Sequence, residues 1–172
     1  GVPENFKNYF VLIFDKPFDL STTWQGKSLE KGKLEILSDH AGAVVGFKTK
    51  KGEKVNVKVA SSFISFEQAE LNLQRELGTG SFEQTVAESK KEWNKVLGKV
   101  TIEGGTDEQM QTFYSCLYRT ACFPQKLYEV DSNKKIVHYS PYTGKILPGY
   151  MFGGTGFWDT FRALYPMLNL FY

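Results

Sequence analysis

Histidine and cysteine are nearly absent from this 172-residue chain, which has two of each. His40 and His138 lie in no metal-ligand spacing, so no zinc motif is present. Cys116 and Cys122 fall on one predicted helix. That spacing separates them by about 9 Å along the axis and turns them to different faces. A disulfide needs Cα atoms within about 7 Å, so two free, largely buried thiols are expected. No run of eighteen apolar residues exists, which excludes a membrane-spanning helix. No secretory leader is visible, and Gly1-Val2-Pro3 does not read as a native start; a processed or cut N-terminus is expected, and targeting says nothing of compartment. Neither sign of charge is in excess: 21 basic and 19 acidic residues leave +2, too balanced to imply nucleic acid or an anionic membrane as partner. The densest basic run, Lys48, Lys50, Lys51 and Lys54, reads as a solvated hairpin turn around Gly52. It lacks the interleaved aromatics of a single-strand platform. Internal repeats and low-complexity segments are also missing.

What is present in quantity is apolar and aromatic surface. Hydrophobic residues make up 41% of the chain, enough for a core, and aromatics 15%. A large aromatic core is the plainer account of the latter, an aromatic-lined cleft the other. The first third reads as β. Tyr9-Phe10-Val11-Leu12-Ile13-Phe14 is an apolar run between polar turns. Lys33 to Leu37 alternates, Ala43 to Lys48 follows, and Lys54 to Ala60 alternates with period two, placing Val55, Val57 and Val59 on one face. Short strands with such turns suggest antiparallel sheet, part of a sandwich.

The pattern changes at Ser65. Three helix starts follow with capping-box spacing: Ser65 before Gln68, Ser81 before Gln84, and Thr106 before Gln109. The first helix is predicted over 66–77, ending at Gly78. The second runs over 82–97, burying Phe82, Val86, Trp93 and Leu97 and ending at Gly98. A short strand, Lys99 to Ile102, leads into Gly104-Gly105. The third helix runs from Asp107 to about Cys122 with a stripe of Met110, Phe113, Tyr114, Leu117, Tyr118 and Ala121.

From Phe123 to Phe157 the chain is polar and aromatic with little periodic signal. Long segments of this kind are often functional. Its carboxylates Glu129 and Asp131 are far short of the six to eight oxygens calcium takes, so no metal is assigned to them. Glu103 reads as a strand-end surface residue rather than a catalytic acid. The tail from Trp158 to Tyr172 is helical again, with Trp158, Phe161, Leu164, Tyr165, Leu168, Phe171 and Tyr172 on one face and Pro166 starting or kinking a turn.

The start of that tail, Gly153-Gly154-Thr155-Gly156-Phe157-Trp158-Asp159, is the most informative stretch. The glycines allow close backbone approach, but no Gly-Lys-Ser/Thr follows, so this is not a phosphate loop. Trp158 can stack on a flat face and Asp159 can accept from hydroxyls, the chemistry of sugar recognition. Each has a plainer role. Asp159 stands in the first turn of a helix, where it favours the dipole. Trp158 lies on the apolar face, and Arg162, at i+3 from Asp159, is placed for a simple ion pair.

An ordered series of motifs resembles glycoside hydrolase family 92, the calcium-dependent exo-acting α-mannosidases. The series is Val59-Ala60-Ser61-Ser62-Phe63-Ile64-Ser65 with Glu67-Gln68-Ala69 and Asn72-Leu73; Glu92-Trp93-Asn94 with Leu97; Glu103-Gly104-Gly105-Thr106 with Gln109; Phe113-Tyr114-Ser115 with Leu117-Tyr118-Arg119-Thr120; and Phe157-Trp158-Asp159-Thr160-Phe161-Arg162. The resemblance implies an α+β fold: the C-terminal part of an antiparallel β-sandwich over 1–64, a helical linker over 65–103, and the first helices of an (α/α)6 catalytic barrel over 104–172. It implies removal of terminal α-linked mannose, α-1,2 linkages foremost, with inversion and with calcium in the site. Inversion asks for two carboxyl groups about 6.5–9.5 Å apart. In the family the acid, the base and the calcium ligands come after the Trp-Asp-Thr-Phe-Arg segment. The expectation is therefore an internal fragment, inactive alone, with no catalytic or metal residue of its own. Asp159 and Trp158 are its expected substrate-binding residues. Its expected partners are a mannose-containing glycan and the rest of the parent polypeptide, or self-association through an exposed tail helix. Family analogy places the parent outside the cytoplasm, secreted or periplasmic. The alternative is a non-catalytic carbohydrate-binding module presenting Trp158, Tyr142 and Tyr150.

Overall fold

A computed structural model describes residues 3–172. Its first half contains β1 (Tyr9–Phe14), β2 (Leu20–Gln25), β3 (Ser28–Glu30), β4 (Ala41–Gly46), β5 (Val57–Ser62), α1 (Phe66–Glu76) and α2 (Phe82–Leu97). Then come α3 (Asp107–Ala121), β6 (Gln125–Lys126), β7 (Tyr128–Val130), β8 (Ile136–Ser140), β9 (Lys145–Pro148), β10 (Phe152–Gly153), α4 (Phe157–Thr160) and α5 (Leu164–Phe171). The fold is α+β, with antiparallel sheets followed by helices. The chain divides into two compact units, residues 12–59 and the remainder. β1 and β5 pair with each other, and the division runs through both strands.

Residues 12–59 hold an antiparallel sheet of order β3-β2-β4. Gln25 pairs with Ser28 across a two-residue turn whose first residue, Gly26, has φ +58, the positive φ that a tight hairpin asks for. β2 is rich in hydroxyls rather than aliphatics, and its Thr22 and Thr23 are buried. Thr23 Oγ1 donates to the Lys33 carbonyl at 3.2 Å. Lys33 to Leu37, expected as a strand, is irregular, and Leu34 and Leu37 are solvent-exposed. β3 takes the place beside β2, and the segment after it pairs with neither edge of the sheet. Asp15 accepts from the Asn56 amide at 2.9 Å and from its side chain at 2.6 Å, which holds the Asp15 carboxyl below its ordinary range. Lys16 does the same for Glu53, which also accepts from the Lys50 amide. The last strand begins at Val57 rather than Lys54, and Val57 and Val59 face solvent. Alternation shows which face is apolar but not whether anything covers it.

In the other unit the core is small: Ala69, Leu73, Leu117 and Tyr139 are its buried hydrophobic residues. α1 begins at Ser65, whose Oγ accepts from the Gln68 amide at 3.1 Å. The predicted capping box is only half formed there. Gln68 is buried and donates instead to Asn72 Oδ1 and the Val130 carbonyl, both at 2.9 Å. The boxes at Ser81 and Thr106 are complete. α2 buries no residue, against expectation; Phe82 and Val86 are exposed, and Trp93, its ring tilted against Tyr118 at 4.5 Å, meets α3. The expected strand at Lys99 to Ile102 is absent. Val100 serves instead as acceptor for Tyr114 Oη at 3.2 Å. Cys116 and Cys122 are free as expected, but Cys116 is exposed, because it stands beside the apolar stripe rather than on it.

The segment 123–157 is not structureless. β7-β8-β9 form an antiparallel sheet, and β10 pairs with β6. Its strands have two to five residues, too short for a periodic signal, and turn chemistry carries them instead. Asp131 Oδ1 accepts from the Asn133 and Lys135 amides at 2.9 and 2.8 Å. Gly144 closes the next turn onto the Ser140 carbonyl at 2.8 Å. The predicted single tail helix is broken at 161–163 into α4 and α5. Pro166 stands in the first turn of α5, where its missing N–H costs nothing. A helix running through residue 162 would set the proline ring against that residue's carbonyl.

Candidate functional site

The candidate site begins where β10 pairs with β6. Gly153 lies opposite Gln125, and the Leu127 amide donates to the Met151 carbonyl at 2.9 Å. A side chain at Gly153 would stand 2.6 Å from Leu127 Cδ1, so the strand sits flush on its neighbour. Gly154 follows at φ +79 against the Phe123 ring and Gln125. Gly156 is the N-cap of α4 and brings no side-chain cap.

Phe161 is the hub of what comes next. Phe157 stacks on it at 5.8 Å, Trp158 leans on it at 6.2 Å, and the Arg162 guanidinium lies 4.9 Å over its face. Phe157 also meets Tyr165 at 5.9 Å, which links α4 to α5. Trp158 itself is 80% exposed, so in this chain it is not a core residue. Asp159 is exposed and makes no ion pair with Arg162; the simple i+3 pair favoured by spacing is absent because Arg162 turns onto Phe161. The Asp159 carboxylate folds back over Gly156, where a Cβ would come within 3.0 Å of Oδ2. The structure thus brings the aromatic face and the carboxylate of the two predicted residues to one exposed turn.

Two features of this region were not assigned a role by sequence. Glu129 accepts from Ser62 Oγ at 3.0 Å, the Phe63 amide at 2.9 Å and Asn72 Nδ2 at 2.7 Å. It clasps the strand-to-helix corner onto β7. Arg75 adds to this by donating to the Val130 and Asp131 carbonyls. Gln68, Asn72 and Arg75 at i, i+4 and i+7 are the signal that could have shown a polar helix face with a partner. The second feature is Thr155, whose hydroxyl is buried and has no hydrogen-bonding group in reach among the described residues.

Metal binding has no support in the donor set. Among the described residues no three His, Cys, Asp or Glu side chains converge. Glu129 and Asp131 are already engaged by N–H and O–H donors, and Asp159 is one carboxylate where calcium takes six to eight oxygens. His138 Nδ1 is engaged by the Gly149 carbonyl at 2.9 Å. Between α3 and α5 lies an apolar groove of about 270 Å³ that includes Val100, Phe113, Leu117, Met167 and Phe171.

Comparison with known proteins decides the lineage. The profile of the glycosyl hydrolase family 92 catalytic domain matches residues 68–172, and that of the family 92 N-terminal domain matches residues 1–62. The chain belongs to glycoside hydrolase family 92. Among solved structures, the family GH92 inverting mannosidase of Bacteroides thetaiotaomicron VPI-5482 superposes with a TM-score of 0.93 at 45% identity, over 97% of this chain and 23% of that one. A family GH92 α-mannosidase of Bacteroides thetaiotaomicron, also solved in complex with mannoimidazole, gives 0.78 at 27% identity, over 94% of this chain and 22% of that one. The chain therefore spans less than a quarter of the length of these family 92 relatives. No curated protein sequence matches it. No helix among the described residues is long and apolar enough to cross a membrane.

Proposed function

We propose that this chain forms the sugar-facing portion of a family 92 glycosidase that removes terminal α-linked mannose, α-1,2 linkages foremost, with inversion. The observation that carries the reading is the exposed turn at Trp158 and Asp159. An exposed aromatic and an exposed carboxylate occupy consecutive positions of α4, and the neighbouring cation is turned onto Phe161. A pyranose offers an apolar C–H face and a rim of hydroxyls; Trp158 suits the first and Asp159 accepts from the second. That two similar proteins are mannosidases, one of them described as inverting, supports the substrate class and the stereochemistry.

Inversion requires an acid and a base on opposite sides of the sugar. We assign neither to this chain and place both, with the calcium of the family, on parts of the family fold beyond the fraction spanned here. The residues present do not make a calcium site, so nothing in the chain's own chemistry is routed through the ion. We retain 1–64, 65–103 and 104–172 as end of sandwich, helical linker and start of an (α/α)6 barrel. By family analogy the parent works outside the cytoplasm, secreted or periplasmic. The exposure of Tyr142 and Tyr150 favours the second reading, a non-catalytic glycan-binding module.

Hydrolysis of an α-1,2-mannobioside by this chain, with and without calcium, tests the division of labour. The expected result is no mannose release in either condition. Calcium-dependent release would put the acid and base inside the chain and overturn their assignment.

A further inference from the structure

The ribbon that leads into the exposed turn carries apolar or aromatic side chains on both faces. Phe152 lies opposite Lys126, and the bond from the Leu127 amide to the Met151 carbonyl continues that register, which sets Tyr150 opposite Tyr128. Side chains alternate along a strand. Leu127 and Met151 share one face, where they line an apolar cavity with Phe6, Phe63 and Tyr139. Lys126, Tyr128, Tyr150 and Phe152 share the other. A sheet with one face on a core ordinarily puts polar residues on its wet side, yet here Tyr150 and Phe152 are 62% and 52% exposed. These rings are also held in place. The planes of Tyr150 and Phe152 lie within 11° of each other at 6.4 Å, and Tyr128 stands nearly perpendicular to both, at 4.8 and 5.5 Å. His138, opposite Tyr128 on the next strand, is engaged through Nδ1 by the Gly149 carbonyl at 2.9 Å. The Gly149 amide donates to the Ile136 carbonyl at 2.9 Å, so the approach to Tyr150 is fixed from both sides. Exposed rings that are ordered beforehand lose little freedom when a ligand is captured.

The chemistry of this face suits a sugar. Aromatic faces take the C–H face of a pyranose. The Tyr150 hydroxyl, unlike Asp159, donates as well as accepts. Lys126 adds a further donor, exposed and in no ion pair among the described residues. The strand continues through Gly153 and Gly154 to Trp158, six residues after Phe152 and within about 22 Å of it along the chain, a separation that successive units of one glycan can span. We propose that Tyr128, Tyr150 and Phe152 form a second sugar-binding surface, which stacks on a mannose unit of the glycan behind the terminal unit held at Trp158 and Asp159. The inference rests on the reading of that turn as sugar-facing, and it makes the substrate class an oligomannoside rather than any α-mannoside.

The test uses a family-length enzyme containing this chain and two substrates: α-mannosyl fluoride, which has only the terminal unit, and an α-1,2-linked mannotetraoside. The variants are Tyr150→Ala combined with Phe152→Ala, Tyr150→Phe, and Asp159→Ala. The double variant is expected to raise KM for the tetraoside about tenfold with kcat kept, because a remote unit is bound equally in ground and transition states. Its kcat/KM for the fluoride and its thermal midpoint are expected to stay at the parental values. Tyr150→Phe, which keeps the ring, is expected to lose no more than about threefold on the tetraoside. A double variant with the parental KM for the tetraoside overturns the inference. A loss shared alike by both substrates also overturns it, and an accompanying fall in the midpoint shows that the rings pack against another part of the enzyme. If Asp159→Ala meanwhile abolishes hydrolysis of both substrates, the reading of the turn stands while the inference falls. Undiminished hydrolysis by Asp159→Ala sinks the reading of the turn instead, and a parent that releases mannose from neither substrate removes both.

Discussion

At the scale of single residues, the polar contacts of this chain are more specific than its apolar ones. The chain from Gln68 to Asn72 to Glu129 has a fixed direction. Gln68 donates to Asn72 Oδ1, and Asn72 donates to Glu129, which cannot donate back. The carboxylate therefore sets the orientation of both amides. Its other acceptances, from the buried Ser62 and from the Phe63 amide, hold the corner between β5 and α1. Glu129→Ala would strand these three donors and should destabilise the chain by about 2–4 kcal/mol in urea unfolding. A change below about 0.5 kcal/mol, the scale of an ordinary surface substitution, would show that the clasp carries no weight. Nothing in the sequence distinguished Glu129 from a surface carboxylate. Its donors lie 57 to 67 residues away in the chain, and pairings of that range leave no local pattern.

At the scale of elements, the three helix starts share a sequence signature but not an energetic role. Gln84 and Gln109 reach back to their N-cap amides at 2.8 and 2.9 Å on the surface. Gln68 is buried and bridges two elements. Alanine at 84 or 109 should cost about 0.5–1 kcal/mol, and alanine at 68 about 2–3 kcal/mol, because it removes a buried side chain, leaves Asn72 Oδ1 without its donor and leaves the Val130 carbonyl to Arg75 alone. Equal costs at all three positions, measured by chemical denaturation, would contradict this. Helices were legible because capping and a 3.6-residue stripe are local properties. α2 was predicted over its observed residues, and α1 and α3 to within a residue. Burial was not legible, since Phe82, Val86, Val57 and Val59 occupy regular apolar faces yet stay about half or more exposed. The strands of 125–153 were missed because two to five residues cannot show a period, and the break in the tail because Pro166 acts four residues upstream of itself. Of the proposed site, Trp158 and Asp159 were singled out by residue type and both are exposed on α4; the turning of Arg162 onto Phe161 was not legible, since it depends on how α4 ends.

At the scale of the molecule, exposed surface is the dominant fact. A folded monomer of this mass exposes about 8,600 Å², whereas this chain exposes 13624 Å². No large side chain is fully buried among the described residues, and Phe157, Trp158, Leu170 and Tyr172 stand open near the end of the chain. Apolar surface of that extent drives association. In isolation the chain is expected to self-associate in light scattering and to bind a hydrophobic dye; a monodisperse monomer that binds none would mean the surface is covered some other way. The same openness at Trp158 and Asp159 is what makes them available to a sugar. The direct test is kcat/KM for an α-1,2-mannobioside in a family-length enzyme containing this chain, comparing Asp159→Ala with the parent. The account predicts a fall of about a hundredfold or more, the loss of charge-assisted hydrogen bonds to the sugar, with the thermal midpoint unchanged. A variant that retains the parental kcat/KM would contradict the assignment of this turn as the sugar-facing part of the site.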